Sequence, residues 1–133
     1  MTAPAVVEVE ARSYELDPYG HVNNAVFVNW LEHGRLAFLR ARGETYMSIP
    51  ETYGVHVVVV RSDLSYRVPA LLGDVLRVTS RIARFGTSSF VFEQTIAYPD
   101  GRVAADGSVT MACVGGSGKS EPMPPALRAV LDR

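Results

Sequence analysis

The spacing of apolar residues along the chain changes from a helical period to a strand period after about residue 54. From Asn24 to about Arg42 the apolar positions recur every three or four residues, which predicts one amphipathic helix of about five turns. Gly43 then provides a C-terminal stop, and residues 44–54 predict a loop or a short irregular helix. The apolar face of the long helix consists of Phe27, Trp30, Leu31, Gly34, Phe38 and Ala41.

Five further segments have the composition of β-strands. Val55–Val68 begins with five valines interrupted only by His56, and this apolar start favours a central strand buried on both faces of a sheet. The turn Gly86-Thr87-Ser88 predicts a hairpin, and Pro99-Asp100-Gly101 predicts a second tight turn. The predicted strands are residues 6–14, 55–68, 75–84, 90–98 and 103–114.

One apolar-faced helix and about five antiparallel strands must bury that face against the sheet, which predicts a two-layer α+β fold. At 133 residues, the chain is expected to be one domain covering 1–133. The glycine-rich stretch from about residue 115 predicts a flexible C-terminal tail, with one or two helical turns at 125–131. Since a single helix leaves a sheet face or edge uncovered, we expect a homo-oligomer.

Composition narrows the functional classes. A formal net charge of -1 argues against general nucleic-acid binding, although some of the twelve arginines could bind a phosphate group at a single site. No secretory leader and no apolar stretch of membrane-spanning length is evident, so a cytoplasmic protein without a membrane partner is expected. The single cysteine, Cys113, excludes an intrachain disulfide. Since no His, Cys, Asp and Glu residues have the spacing of a metal site, no metal or redox cofactor is expected.

The loop before the long helix carries the candidate chemistry. Asp17-Pro18 favours a turn, Gly20 frees the backbone, and Asn23 or Asn24 can cap the helix. An acid therefore sits beside a helix N-terminus, where free amides can stabilise an oxyanion while a carboxylate attacks or activates water. The alternative is that Asp17 is only a cap or an Asx-turn.

The segment Asp17-Pro18-Tyr19-Gly20-His21-Val22-Asn23-Asn24, followed by Phe27, Trp30 and Glu32 and by the strand meander, resembles a hotdog-fold acyl-CoA thioesterase of the 4-hydroxybenzoyl-CoA thioesterase type. The resemblance implies a sheet wrapped around the helix, dimerisation through a continuous sheet, further assembly to a tetramer, and active sites at the subunit interface. It makes Asp17 the nucleophile or general base, and it assigns the amide that polarises the thioester carbonyl to Asn24. Coenzyme A would enter only as part of the substrate.

The His-Val-Asn-Asn segment also resembles plant acyl-carrier-protein thioesterases and their bacterial relatives, in which an Asp, an Asn and a His near this point are functional. Asp17 and His21 match that spacing, but Tyr19 occupies the place of the Asn. His21 is therefore either an orienting residue or a structural loop histidine. Acyl carrier protein stays open as the thiol carrier.

The remaining candidates follow from their positions. Glu32 lies two turns after Asn24, where it could position water or pair with Arg35 or His33. The acyl pocket is expected to draw on Tyr19, Phe27 and Trp30. Phosphates of coenzyme A need basic or amide-rich partners, for which the candidates are Arg67, Arg84, Thr87 and Ser88.

Two other functions fit the same fold. An enoyl-thioester hydratase or dehydratase would use an Asp and a His as an acid/base pair. In the hydratase motif four residues separate them, whereas three lie between Asp17 and His21. A non-catalytic acyl-CoA-binding scaffold would keep Asp17 only as a cap.

Overall fold

The computed structural model of this protein describes residues 2–133 and contains five strands and three α-helices within them. The expected α+β class is confirmed. None of these helices has the length and apolar character needed to cross a membrane. The elements are β1 (Ala5–Glu10), α1 (Asn24–Arg40), α2 (Ser48–Tyr53), β2 (His56–Tyr66), β3 (Val75–Phe85), β4 (Ser89–Ala97), β5 (Val103–Val114) and α3 (Pro125–Leu131).

The five strands form one sheet in the order β1-β3-β4-β5-β2, and all four neighbouring pairs are antiparallel. The predicted hairpin joins β3 to β4, where Phe85 pairs with Phe90. In this order β1 and β2 are the two edges of the sheet. β1 is shorter than expected, because the chain leaves the sheet after Glu10 and forms a short 3-10 turn at Ser13–Glu15.

The expectation that the valine-rich strand is central is wrong. β2 pairs with β5 on one side and ends the sheet on the other. Val58, Val59 and Val60 are 39%, 46% and 59% exposed, and the pairing register shifts between Val59 and Arg61. A run of valines predicts that the strand is buried from water. It does not indicate whether the same chain or another chain buries it.

The long helix lies across one part of the sheet, with its main contacts to β1, β3 and β4. Its buried face includes Phe27, Leu31 and Phe38, as the helical spacing predicts. Phe38 is fully buried and meets Phe92 edge to face, with ring centroids 5.1 Å apart. Gly34 faces the sheet at the closest approach, where a Cβ atom would lie 2.5 Å from Val78 Cγ1 and 2.7 Å from Ser80 Oγ.

Gly34→Ala is expected to destabilise the fold by about 1 kcal/mol. The added methyl group overpacks the helix–sheet contact, which costs about 1–3 kcal/mol. The better helix propensity of alanine offsets about 1 kcal/mol of this. Urea unfolding measures the difference, with Gly116→Ala as the control because no atom lies within 4 Å of that Cβ position. A Gly34→Ala protein as stable as wild type would contradict the tight contact.

The C-terminal segment is packed on the core, which corrects the expectation of a flexible tail from residue 115. Leu127 and Leu131, four residues apart on α3, are fully buried, and Met123 is 9% exposed. The N–H of Met123 donates to the carbonyl of Thr87. The apolar side chains of the last fifteen residues order this segment despite the glycines that precede them. Their burial offsets the conformational entropy that the chain loses when it is ordered.

Candidate active site

The side chain of Asp17 is hydrogen-bonded to the backbone of its own loop, which connects β1 to α1. Its Oδ1 accepts hydrogen bonds from the N–H of Tyr19 at 2.9 Å and of His21 at 3.0 Å. The N–H of Asp17 donates to the carbonyl of His21 at 2.7 Å, and Gly20 completes the turn with a φ of 78°. The half-buried carboxylate therefore forms an Asx-turn and uses only Oδ1 in these bonds, so Oδ2 is left for other contacts.

Asn23 caps the helix, which begins at Asn24. The Oδ1 of Asn23 accepts from the N–H of Ala25 at 2.9 Å. The N–H of Asn24 has no hydrogen-bond partner within residues 2–133. The hydroxyl of Tyr66 donates to the carbonyl of Asn24 at 3.2 Å and so ties the end of β2 to this first turn. The helix thus presents one free amide, at its positive dipole end.

Asp17 and Asn24 border one open cavity of about 600 Å³, which we call the Asp17 cavity. It combines a carboxylate, a histidine and a free helix amide with an apolar wall. A carbonyl bound there would meet a hydrogen-bond donor and a potential nucleophile together, which is the chemistry of acyl transfer. The cavity is lined by Asp17, His21, Val22, Asn23, Asn24, Phe27, Tyr66, Arg67, Val68 and Pro69.

Aromatic rings form the apolar wall of the Asp17 cavity. Phe27 is 3% exposed and meets Tyr66 edge to face at 5.7 Å. Trp30 supports Phe27 from a second side at 5.3 Å, but it lines a different cavity near β1. Of the expected acyl-pocket residues, Phe27 therefore lies in the wall and Trp30 lies behind it.

A hydrogen-bond network holds the segment that borders the Asp17 cavity after β2. The hydroxyl of Tyr98 donates to Asp74 Oδ2 at 2.6 Å and contacts the carbonyl of Pro69 at 3.1 Å. Burial and the bond to Asp74 raise the pKa of Tyr98 to about 12, so the hydroxyl keeps its proton. The adjacent Ala70 carbonyl accepts from the N–H of Val22, which fixes this segment against the Asp17 loop.

Arg67 supplies the positive charge of the Asp17 cavity. Its Nε donates to Asp106 Oδ1 at 2.9 Å, and the arginine side chain is 54% exposed. The ion pair fixes the guanidinium at the mouth while leaving its other nitrogens open to an anion.

Several predicted site residues lie elsewhere. Tyr19 contributes its backbone N–H to Asp17, but its side chain is 85% exposed and outside the cavity lining. Arg84, Thr87 and Ser88 lie around the β3–β4 turn, at the end of β3 away from the Asp17 cavity. The length of β3 puts about 30 Å between its two ends. Within one chain, the structure does not bring these residues to Asp17.

A second cavity of about 490 Å³ runs between α1 and β2 and shares Tyr66 with the Asp17 cavity. We call it the β2 groove. Glu32 lies here rather than at Asp17, and it forms no ion pair with Arg35 or His33. The groove is lined by Val28, Leu31, Glu32, Arg35, Val59, Ser62, Asp63, Leu64, Tyr66, Ser108 and Val109.

A metal centre and a cysteine nucleophile are the two alternatives to a carboxylate site. Within residues 2–133, no group of three or more His, Cys, Asp or Glu side chains could hold a metal ion. Cys113 is fully buried, and that burial raises the pKa of its thiol, which disfavours the nucleophilic thiolate.

Sequence comparison matches residues 11–131 to the thioesterase-like superfamily. The long-chain acyl-CoA thioesterase FadM of Escherichia coli is 33% identical over 108 residues, which cover 80% of each chain. The range 11–131 of the family match includes the Asp17 loop and α3. It also includes the five predicted site residues that line the Asp17 cavity, namely Asp17, His21, Asn24, Phe27 and Arg67.

Two solved structures extend the likeness to the fold. The probable thioesterase YbaW from Escherichia coli is 31% identical, with a TM-score of 0.85 and 96% of each chain covered. A thioesterase from Thermus thermophilus, complexed with coenzyme A and Zn, is 34% identical with a TM-score of 0.84. That match covers 96% of this chain and 90% of the other. The expected hotdog fold is confirmed by these matches.

Proposed function

The chain belongs to the thioesterase-like superfamily, and we propose that this acyl-CoA thioesterase hydrolyses its substrate in the Asp17 cavity. FadM, matched over 80% of this chain, is a thioesterase by name, and YbaW, matched over 96%, is a probable thioesterase by name. They support hydrolysis as the reaction and acyl-CoA as the substrate class. The residues that carry the reaction, the acyl group and the assembly are argued below from the contacts of this chain.

The observation that carries the proposal is the meeting of a carboxylate and a free amide at one cavity. Asn24 has an N–H without an internal partner, and Asp17 has one carboxylate oxygen outside its Asx-turn. A thioester carbonyl oxygen accepts from the Asn24 N–H, which stabilises the negative charge that develops on this oxygen. The carbonyl carbon is then exposed to Asp17.

Two routes lead to the products. In the first, Asp17 attacks the carbonyl carbon, the carbon–sulfur bond breaks, and coenzyme A leaves as the thiolate and takes up a proton. Water then hydrolyses the acyl–aspartate anhydride. In the second route Asp17 removes a proton from water, whose oxygen attacks the carbonyl carbon directly. The carbon–sulfur bond then breaks, and coenzyme A leaves as the thiolate, which takes up the proton. Both routes yield one free acid and one thiol for each water consumed.

The other residues of the Asp17 cavity serve binding in this proposal. Phe27 and Tyr66 provide apolar contact for the start of the acyl group, and Arg67 faces the phosphates of coenzyme A. His21 holds the loop through its backbone and lies beside Asp17 as an orienting residue. Glu32 stays outside the chemistry, because it lines the β2 groove instead.

We extend the proposal to a homodimer joined at β2, with the tetramer as a further assembly step. The edge of β2 is open and carries three exposed valines, which a second β2 would cover by continuing the sheet. Such an arrangement also gives Arg84, Thr87 and Ser88 a route to coenzyme A, since a residue far from Asp17 in its own chain can reach the cavity of another. The narrower assignment to the 4-hydroxybenzoyl-CoA type rests on the place of Asp17 before the helix.

Thiol release from a panel of acyl-CoAs tests the proposed reaction. We expect turnover of at least one long, short or aromatic acyl-CoA well above its spontaneous hydrolysis, with the same acyl group on acyl carrier protein as a parallel arm. Loss of enoyl absorbance without free thiol would show a hydratase. Coenzyme A binding without release of any acyl group would show a scaffold protein. Either result would contradict hydrolysis.

A further inference from the structure

Arg35 is a buried cation that has no acidic partner in the part of the chain that the structure describes. It lies one residue after Gly34 on the buried face of α1, and it is only 4% exposed. Its Nη1 donates to the Oε1 of Gln94 at 3.0 Å, whereas its Nε has no hydrogen-bond partner. No carboxylate within residues 2–133 forms an ion pair with it. A neutral amide does not compensate a buried guanidinium charge, so the site is incomplete.

Gln94 cannot be rearranged to supply more. Its Nε2 already donates to the carbonyl of Leu31 and to Ser80 Oγ, both at 2.8 Å. These bonds hold its single side-chain oxygen toward Arg35. The missing acceptor must therefore enter from the open side of Arg35, which is the β2 groove.

The β2 groove carries the complementary charge on its outer rim. Glu32, one helical turn before Arg35, is exposed and forms no ion pair within residues 2–133. Asp63, the other acid of the groove, is already paired with Arg61 at 3.5 Å. Val28 and Val59 beside them are 45% and 46% exposed. One surface thus combines an unsatisfied cation, an unpaired acid and exposed apolar side chains.

A surface with these features is complementary to itself. Under a twofold axis, residue i of one copy meets residue j of the other, and j meets i. Glu32 and Arg35 are one turn apart on α1. An axis that passes beside α1, level with the turn between these two residues, therefore sets each acid against the other copy's guanidinium. We propose that a second copy of this chain covers the β2 groove and that its Glu32 pairs with Arg35. This inference rests on the proposed dimer and specifies what completes its interface.

The pairing also links assembly to the active site. Tyr66 lines both the β2 groove and the Asp17 cavity, and its hydroxyl holds the carbonyl of Asn24. A copy seated in the groove therefore packs against the residue that fixes the first turn of α1. Each Asp17 cavity is then bounded by an interface that only the dimer forms.

A mixed-chain experiment tests the pairing. Tagged Arg35→Met and untagged Glu32→Gln chains are co-expressed, and the dimers are counted by native mass spectrometry. Each mutant homodimer lacks both ion pairs, but the mixed dimer keeps one Arg35–Glu32 pair. Random assembly gives half mixed dimers. If one pair tightens association tenfold, as close interface charges do, the mixed share rises to about nine-tenths.

The control is a tagged Arg40→Met chain with an untagged Glu51→Gln chain, since both residues are exposed and outside the β2 groove. For this control pair we expect half of the dimers to be mixed, as in random assembly. If half of the dimers are mixed for the test pair as well, or if the chains stay monomeric, the proposed contact is overturned. So would a preference for succinyl-CoA over butyryl-CoA that Arg35→Met abolishes, because Arg35 would then bind a substrate carboxylate. Wild-type thiol release is measured separately, so these outcomes leave the hydrolysis proposal intact.

Discussion

Asp17→Asn is expected to lower kcat/KM for thioester hydrolysis about a hundredfold or more, as befits loss of a nucleophile or general base. The variant keeps the shape of the side chain and the oxygen that accepts from the amides of Tyr19 and His21. Its Asx-turn should therefore form, and its melting temperature should stay close to that of wild type. Thiol release on the best acyl-CoA of the panel provides the rate.

This variant separates the loop role of Asp17 from its proposed catalytic role, because an asparagine can accept the loop hydrogen bonds but cannot act as the nucleophile or base. Unchanged turnover would make Asp17 a loop residue only. Labelled water then distinguishes the two routes. In a single wild-type turnover in ¹⁸O water, label in the Asp17 carboxylate identifies covalent attack, since base-assisted attack places the label in the released acid alone.

Phe38→Ala is expected to reduce the free energy of unfolding by about 3–5 kcal/mol. Phe38 is fully buried between α1 and the sheet, where it packs edge to face on Phe92. The guanidinium of Arg42 lies 3.5 Å from its ring centroid on another side. Truncation leaves a cavity that this surrounding structure can fill only in part. For a chain of this size, the melting temperature should fall by roughly 10–15 °C.

Met47→Ala is the matched control for Phe38→Ala, because Met47 is a large apolar residue that is 71% exposed. It should change the free energy of unfolding by less than about 0.5 kcal/mol. Comparable losses for the two variants would contradict the placement of Phe38 at the centre of the helix–sheet contact.

The sequence predicts α1 and the Asp17 loop well because local signals determine them. Helical spacing from Phe27 onward, an Asn cap and the positive-φ Gly43 act within a few residues of one another. The grouping of Asp17 and Asn24 follows from the same short segment. A helix N-terminus necessarily lies beside the loop that leads into it.

The misassigned features depend on parts of the chain that are distant in sequence. Nothing in the local sequence distinguishes an apolar edge strand from a central strand, so the valines of β2 were misleading. Tyr66 was missed for the same reason, since its contact with Asn24 follows from the pairing of β2 with β5. Arg35 was considered only as a surface partner of Glu32, although its position next to Gly34 places it on the apolar side of α1.

The pairing of β2 with β5 has a consequence for synthesis of the protein. β3 and β4 lie between these two strands in sequence, so β2 emerges from the ribosome long before its sheet partner exists. During that interval its valines and its backbone donors are open on both sides of the strand. Helix α1 and the β3–β4 hairpin can form through contacts between residues close in sequence, whereas β2 can pair only after residues 103–114 have been synthesised. The nascent chain is therefore most vulnerable to association through the strand that forms the edge of its finished sheet.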